Sequence, residues 1–169
     1  MITGVVVGNP KPDSRTLQAG ILGAQLLTGS DPDLVIDVVK LGPGLLGFGD
    51  AGIAAAVRSV QECDLLMVGS PTYKGAYTGV LKCFLDQFPG GGMAGVTAFV
   101  FMLGAGPGHA LAPELLLRPV LTELGASCPV RGLYLPESVF ADEAAWESWL
   151  PAARSFIPAP ASNAGSEMS

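Results

Sequence analysis

Side chains able to do chemistry gather in three short stretches of this 169-residue chain. The first, GNPKPDSRTL at 8–17, breaks the apolar run ITGVVV and brings two cations, Lys11 and Arg15, beside the hydroxyls of Ser14 and Thr16. A helical pattern follows at once. The first turn of a helix leaves about four N–H groups without partners and carries partial positive charge, which suits an anion. Ser14 or Asp13 can cap that helix, and Lys11, Arg15 and the two hydroxyls can close around phosphate oxygens. A cation at Arg15 opposes the helix dipole, so a purely structural role fits it poorly. A capped turn with solvated cations would use the same residue types, and only the rest of the chain can separate the two. The second stretch, SPTYKGAY at 70–77, pairs aromatics with a lysine; the third, GAGPGHA at 104–110, is glycine-rich and ends near the single histidine.

Other chemistries find little support. Cys63, Cys83 and Cys128 are widely spaced within apolar surroundings and read as buried thiols; with no CxxC pair and one histidine, a zinc site is not expected. Nine cations against fifteen carboxylates give a net charge of −6, which repels a polyanion, so no nucleic-acid partner is expected. Hydrophobic residues make up 49%, yet no uncharged run reaches the ~18 residues of a membrane span, so the excess apolar surface points to another subunit. Residue 1 leads straight into ITGVVV without a basic flank, which reads as no secretion signal and a cytoplasmic protein.

The elements that must position these stretches are legible as alternation. Apolar, β-branched runs recur at 2–7, 33–39, 63–69, 96–103 and 128–135, separated by segments with helical periodicity. The clearest helix is expected over 77–88, where Tyr77, Val80, Leu81, Phe84, Leu85 and Phe88 share one face and Lys82 and Asp86 form an outer pair. Helices are also expected at 15–28, at 51–61, at 109–124 with its apolar face on Leu111, Leu115, Leu117, Val120, Leu121 and Leu124, and near 142–155 with Trp146, Trp149 and Leu150 in the core or an interface. Pro119 should kink the fourth and Pro151 divide the fifth. Residues 1–157 then form one domain, and the polar, proline-bearing 158–169 a disordered tail.

Five strands alternating with five helices predict an α/β, doubly wound three-layer fold of flavodoxin-like order 2-1-3-4-5. Ligands of such sheets bind outside the carboxyl ends of the strands, so the loops at 8–16, 70–77 and 104–110 should converge. A phosphate at the first and a flat ring system against the other two is the arrangement they suggest.

At this point the motifs themselves resemble a family. The first loop resembles the G-S-x-R-x-x-S-x-T/N phosphate loop of the NADPH-dependent FMN reductases. PTYKGAYTGVLKCFLD at 71–86, GPGH at 106–109 and LRPVLTELGA at 117–126 resemble the flavin-ring loop, glycine loop and following helix of its sulfonate-scavenging branch. The resemblance spans residues 3 to 140. It implies FMN held between subunits of a homodimer or homotetramer and hydride transfer from NADPH or NADH to flavin, with reduced flavin supplied to a partner flavin-dependent monooxygenase. Phosphate contacts carry over to Asn9, Lys11, Ser14, Arg15, Thr16 and the Leu17 amide; ring contacts carry over to Pro71, Thr72, Tyr73, Lys74 and Gly75, with Gly104, Ala105 and Gly106 beneath. Asn9 stands where the family has serine, Lys11 where it has arginine, and GAG where it has T-G-G.

Within enzymes, the rival reading is a tight-FMN reductase of quinones, azo compounds or metal oxyanions; outside them, a flavodoxin-type electron carrier. The first loop lacks the threonine-rich pattern of carriers, and strand 1 ends without the carboxylates of a phosphoacceptor domain. No catalytic acid or base is assigned. Hydride transfer needs none, His109 reads as structural or nicotinamide-side, and Glu62, Asp64 and Asp86 form no catalytic pair.

Overall fold

The computed structural model describes residues 1–157, so the expected tail at 158–169 lies outside the described residues. Five parallel strands, β1 (Thr3–Val7), β2 (Leu34–Asp37), β3 (Leu65–Pro71), β4 (Thr97–Gly104) and β5 (Leu133–Pro136), form one sheet in the order 2-1-3-4-5. In register, Val5 faces Val35 on one side and Met67 on the other; Met67 faces Phe99, and Phe101 faces Leu133. Successive strand residues point to opposite faces. Val6, Leu66, Val68, Val100 and Met102 therefore meet α2 (Ala51–Gln61), α3 (Gly79–Leu85) and α4 (Arg118–Glu123) on one side. Val5, Val7, Met67, Phe99 and Phe101 meet α1 (Arg15–Thr28) and α5 (Leu150–Arg154) on the other.

The helix α1 begins and ends where the sequence expects, with Ser14 as its cap and Gly29 closing it in the left-handed region at φ 77°. The two tryptophans are core, as expected: Trp146 and Trp149 are buried, and their indole N–H groups donate to Phe140 O and Arg131 O. The Lys82–Asp86 pair also forms.

Several boundaries differ, each for a local reason. The second strand stops at Asp37, two residues short of the expected end at 39, because Val38–Leu41 turns into a 3-10 helix before Gly42 and Pro43. The third helix starts at Gly79, behind the cap Thr78, and leaves Tyr77 outside. β5 begins only at Leu133; Gly132 N–H is drawn away to Glu114 Oε2 at 2.8 Å. The last helix is divided, as Pro151 led one to expect, but the break falls before that residue, which lies in the first turn of α5 after a 3-10 segment at Glu143–Trp146. Of the cysteines only Cys63 is fully buried, where desolvation pushes its thiol up to about 11; Cys83 and Cys128 are half-buried.

The expected 109–124 helix is three pieces: a 3-10 turn at Pro107–His109, a π-helical turn at Pro113–Leu117, and α4. Pro119 has no N–H for an i−4 bond, and the Arg118 N–H reaches back five residues to Pro113 O instead. The widened turn rotates the upstream leucines, so Leu117 and Leu121 are core while Leu111 and Leu115 are 51% and 61% exposed. A clamp fixes this turn. Glu114 accepts from Gly132 N–H and from Arg118 Nη1 at 2.7 Å, and Arg118 also donates twice to Cys128 O.

Hydrogen bonding from the Gly132 amide, then from Arg118, holds the Glu114 carboxyl below its ordinary value. A depressed folded pKa contributes stability above the unfolded value of about 4.3 and loses it as pH falls through the folded one. Glu114→Gln should therefore lower stability by about 1 kcal/mol at pH 7. The difference from wild type should shrink in urea titrations as the pH is lowered below 4.

Candidate functional site

The carboxyl ends of β1, β3 and β4 bring the three stretches together, and a hydroxyl buried between them sets their spacing. Thr78 Oγ1 donates to Gly8 O at 2.6 Å and accepts from Leu81 N–H, while its own N–H donates to Ser70 Oγ. Gly8 is required there because a Cβ would come within 2.2 Å of Leu81 Cβ and 2.5 Å of its Cα. The first loop and α3 are thus in backbone contact.

Within the first loop, much of the polar equipment holds the loop itself. Asn9 donates from Nδ2 to Thr16 Oγ1 at 3.2 Å and accepts from Lys11 N–H, and Ser14 Oγ accepts the Leu17 amide. The Leu17 amide is therefore already engaged, whereas those of Arg15 and Thr16, in the first turn of the helix, have no intrahelical acceptor. Asp13 adopts a left-handed backbone, φ 51°, secured by its N–H on Asp37 Oδ2 at 2.9 Å. Asp37, buried at the end of β2, keeps a second oxygen that accepts no hydrogen bond from the described residues. Lys40 sits over Asp13 and Asp37 and has its pKa raised, chiefly by the hydrogen bond to Asp13.

Lys11 is exposed and enters no ion pair among the described residues. Arg15 is 64% exposed and reaches across the strand ends to Glu137 after β5, Nη2 to Oε2 at 2.9 Å. That single contact leaves Nε and Nη1 available.

The second and third stretches form a wall. Pro71 closes β3; Thr72 donates through both N–H and Oγ1 to Leu103 O, at 2.7 and 2.9 Å. Tyr73 and Ala76 exchange backbone hydrogen bonds around Lys74 and Gly75, whose φ values of 53° and 81° match a tight two-residue hairpin turn. Lys74 accordingly projects from a rigid tip, and Tyr73 is half exposed. Gly104 ends β4 beside Thr72, and Ala105 and Gly106 follow it. His109 lies 3.6 Å from where a Cβ of Gly75 would stand, so the two loops meet. Outside this meeting point lies an open, largely apolar cleft of about 340 Å³ between Gly75 and residues 107–116, where Leu111, Leu115 and Leu116 are uncovered. It does not include the first loop.

The donor set fits an organic phosphate with a flat ring. Two free helix-start amides, Lys11, and the partly uncommitted Arg15 suit a dianion, and Gly106 and Gly108 expose backbone with nothing within 4 Å of an added Cβ. Among the described residues no group of three metal-ligating side chains occurs, and no helix is long and apolar enough to cross a membrane.

Reading from sequence alone missed Thr78, Asp37, Tyr134 and Glu137. Thr78 carries a usable signal, a hydroxyl just before the periodic run, but the apolar Tyr77 drew the expected helix start forward. Tyr134 lies on β5 and Glu137 just after it, and nothing in their spacing links them to residues 106 and 15.

Fold and site together define a flavodoxin-like α/β protein with a cationic first loop at a helix start and a glycine-lined wall near it. The profile of the NADPH-dependent FMN reductases matches residues 1–141, and the chain belongs to that family. It is 32% identical over 95 residues to an FMN reductase (NADPH) of Escherichia coli, covering 56% of this chain and 50% of that one. With the NADH-dependent FMN reductase SfnF of Pseudomonas putida it shares 29% over 144 residues, 80% of this chain and 77% of the relative. The match to the Escherichia coli relative thus spans about half of that protein's length. Among solved structures, the apo form of NADH:FMN oxidoreductase (EMOB) superposes with a TM-score of 0.81 at 32% identity, covering 92% of this chain and 88% of that one.

Thr78→Val keeps the shape but removes the cap and strands the Gly8 carbonyl. It should cost about 2–4 kcal/mol in urea unfolding, with Thr78→Ser recovering most of the loss.

Proposed function

We propose that the protein is an NAD(P)H-dependent FMN reductase that binds flavin as an exchangeable substrate and releases it reduced for a flavin-dependent monooxygenase. The observation that carries this reading is the first loop. It presents free amides of Arg15 and Thr16 together with two exposed cations, next to a wall of exposed glycine backbone. Flavin, when bound, supplies the hydride acceptor; the chain supplies position and charge. Asn9, Ser14 and Thr16 shape the phosphate cradle, Lys11 and Arg15 neutralise it, and Pro71 to Gly75 with Gly104 to Gly106 form the face for the ring.

A lysine at position 11 is a point charge without the bidentate fork of arginine, and the Arg15 side chain is open to solvent. Both features favour modest affinity and exchange. The three cysteines, unpaired among the described residues, suit a reducing cytoplasmic setting. The uncovered Leu111, Leu115 and Leu116 beside the ring wall, with Leu46 and Phe48 on the α3 side, support a homodimer or homotetramer.

The deciding experiment is NADH and NADPH oxidation by the purified protein with and without added FMN. Turnover that rises and saturates with free FMN is expected, and absence of oxidation with either nucleotide would end the proposal. In the same preparation Arg15→Ala should weaken FMN binding about 10-fold and leave riboflavin unchanged, since a charge-assisted contact at an exposed position lies at the low end of its range. Equal losses would assign Arg15 to the ring or the fold. Light scattering at micromolar concentration with flavin present should report a dimer or tetramer.

A further inference from the structure

The wall of Gly104, Ala105 and Gly106 has no side-chain hydroxyl of its own, yet two hydroxyls stand behind it. One, from Thr72, is committed to Leu103 O. The other comes from β5: Tyr134 Oη donates to Gly106 O at 2.5 Å. A Cβ built on Gly104 would lie 2.0 Å from that same Oη, 2.8 Å from Tyr134 Cζ and 3.2 Å from Thr72 Oγ1. The space a side chain at position 104 would need is therefore filled by the phenol.

Little else can fix this loop. Gly104 is held as the last residue of β4, but beyond it Gly106 has the wide torsional freedom of a glycine, and the next residue, Pro107, has no N–H to donate. Its carbonyls are the remaining handles. Gly104 O accepts from Glu137 N–H at 2.9 Å, and Gly106 O accepts from Tyr134. Both bonds come from the last strand and the residue after it, so β5 sets the plane in which the loop presents its backbone. Tyr134 is only half-buried, with its ring packed on the α2/α3/α4 core, so the hydroxyl is held from below.

We propose that Tyr134 is a positioning residue for the flavin ring: its hydroxyl takes the side-chain space at Gly104 and fixes the Gly106 carbonyl, giving the 104–106 wall the shape against which the ring lies. This rests on the function proposed above, in which the ring faces that wall. The phosphate is gripped elsewhere, by the first loop. Loosening the wall should therefore penalise every flavin alike.

Flavin binding, read by fluorescence quenching and the visible difference spectrum, separates the possibilities without relying on turnover. Tyr134→Phe should weaken FMN and riboflavin by the same factor, about 3- to 10-fold for one lost hydrogen bond, and alter the bound-flavin spectrum. Its thermal midpoint should stay within a few degrees of wild type. Gly104→Ala should weaken both flavins in the parent and cost clearly less in a Tyr134→Ala background, where neither the hydroxyl nor Cζ, 2.8 Å from the added methyl, remains. A loss confined to FMN, unchanged affinities, a collapse of the thermal midpoint, or a Gly104→Ala cost independent of residue 134 would each overturn the assignment. Wild-type protein that binds neither flavin would instead overturn the function itself.

Discussion

The contact between the Thr78 hydroxyl and the Gly8 carbonyl governs how close the first strand's loop can come to the helix that follows the third strand. Its 2.6 Å separation requires a glycine on one side and a capping hydroxyl on the other, and both are satisfied within one buried cluster with Ser70. A buried carbonyl without that donor would be costly. Once the contact is made, the hairpin turn at Lys74 and Gly75 and the amides at the start of α1 lie on adjacent loops of the same sheet edge. Everything the site offers follows from that spacing.

Charge is distributed to serve the same edge. The chain carries a net −6, but Lys11, Arg15, Lys40 and Lys74 lie in or beside the loops after β1, β2 and β3. Two of these are tied to carboxylates, Arg15 to Glu137 and Lys40 to Asp13 and Asp37. The ties to Glu137 and Asp13 are solvent-exposed and individually worth little. Their effect is geometric: one holds the long Arg15 side chain across the strand ends, the other braces the left-handed Asp13 that starts the helix.

Strand order, both cores and the three converging loops were legible in the sequence, because period-2 and helical apolar patterns record burial directly. The first helix was legible to the residue, since Ser14 and Gly29 are local signals. In the region 107–124 an interruption at Pro119 was legible, but its form was not: the π turn is accompanied by a clamp of Glu114 on Gly132 and Arg118 on Cys128, contacts that the spacing of residues does not record. At the site, residues chosen for their own chemistry were brought together. The supports Thr78, Asp37, Tyr134 and Glu137 escaped, because a support is recognised by what it touches, and Tyr134 touches a carbonyl 28 residues away.

That last contact bears on the order in which a growing chain becomes competent. Translation delivers the first loop, the Thr78 tie and the Lys74 hairpin well before β5, and domains gain structure as they emerge. A nascent chain ending near residue 126 already contains both faces intended for a ligand. It lacks the hydroxyl that fixes Gly106 and the carboxylate that holds Arg15, and it lacks the tryptophans that cover α1. The shape of the 104–106 wall and the reach of Arg15 are thus settled only once the last strand is made, with that strand acting as the keystone of an otherwise assembled arch.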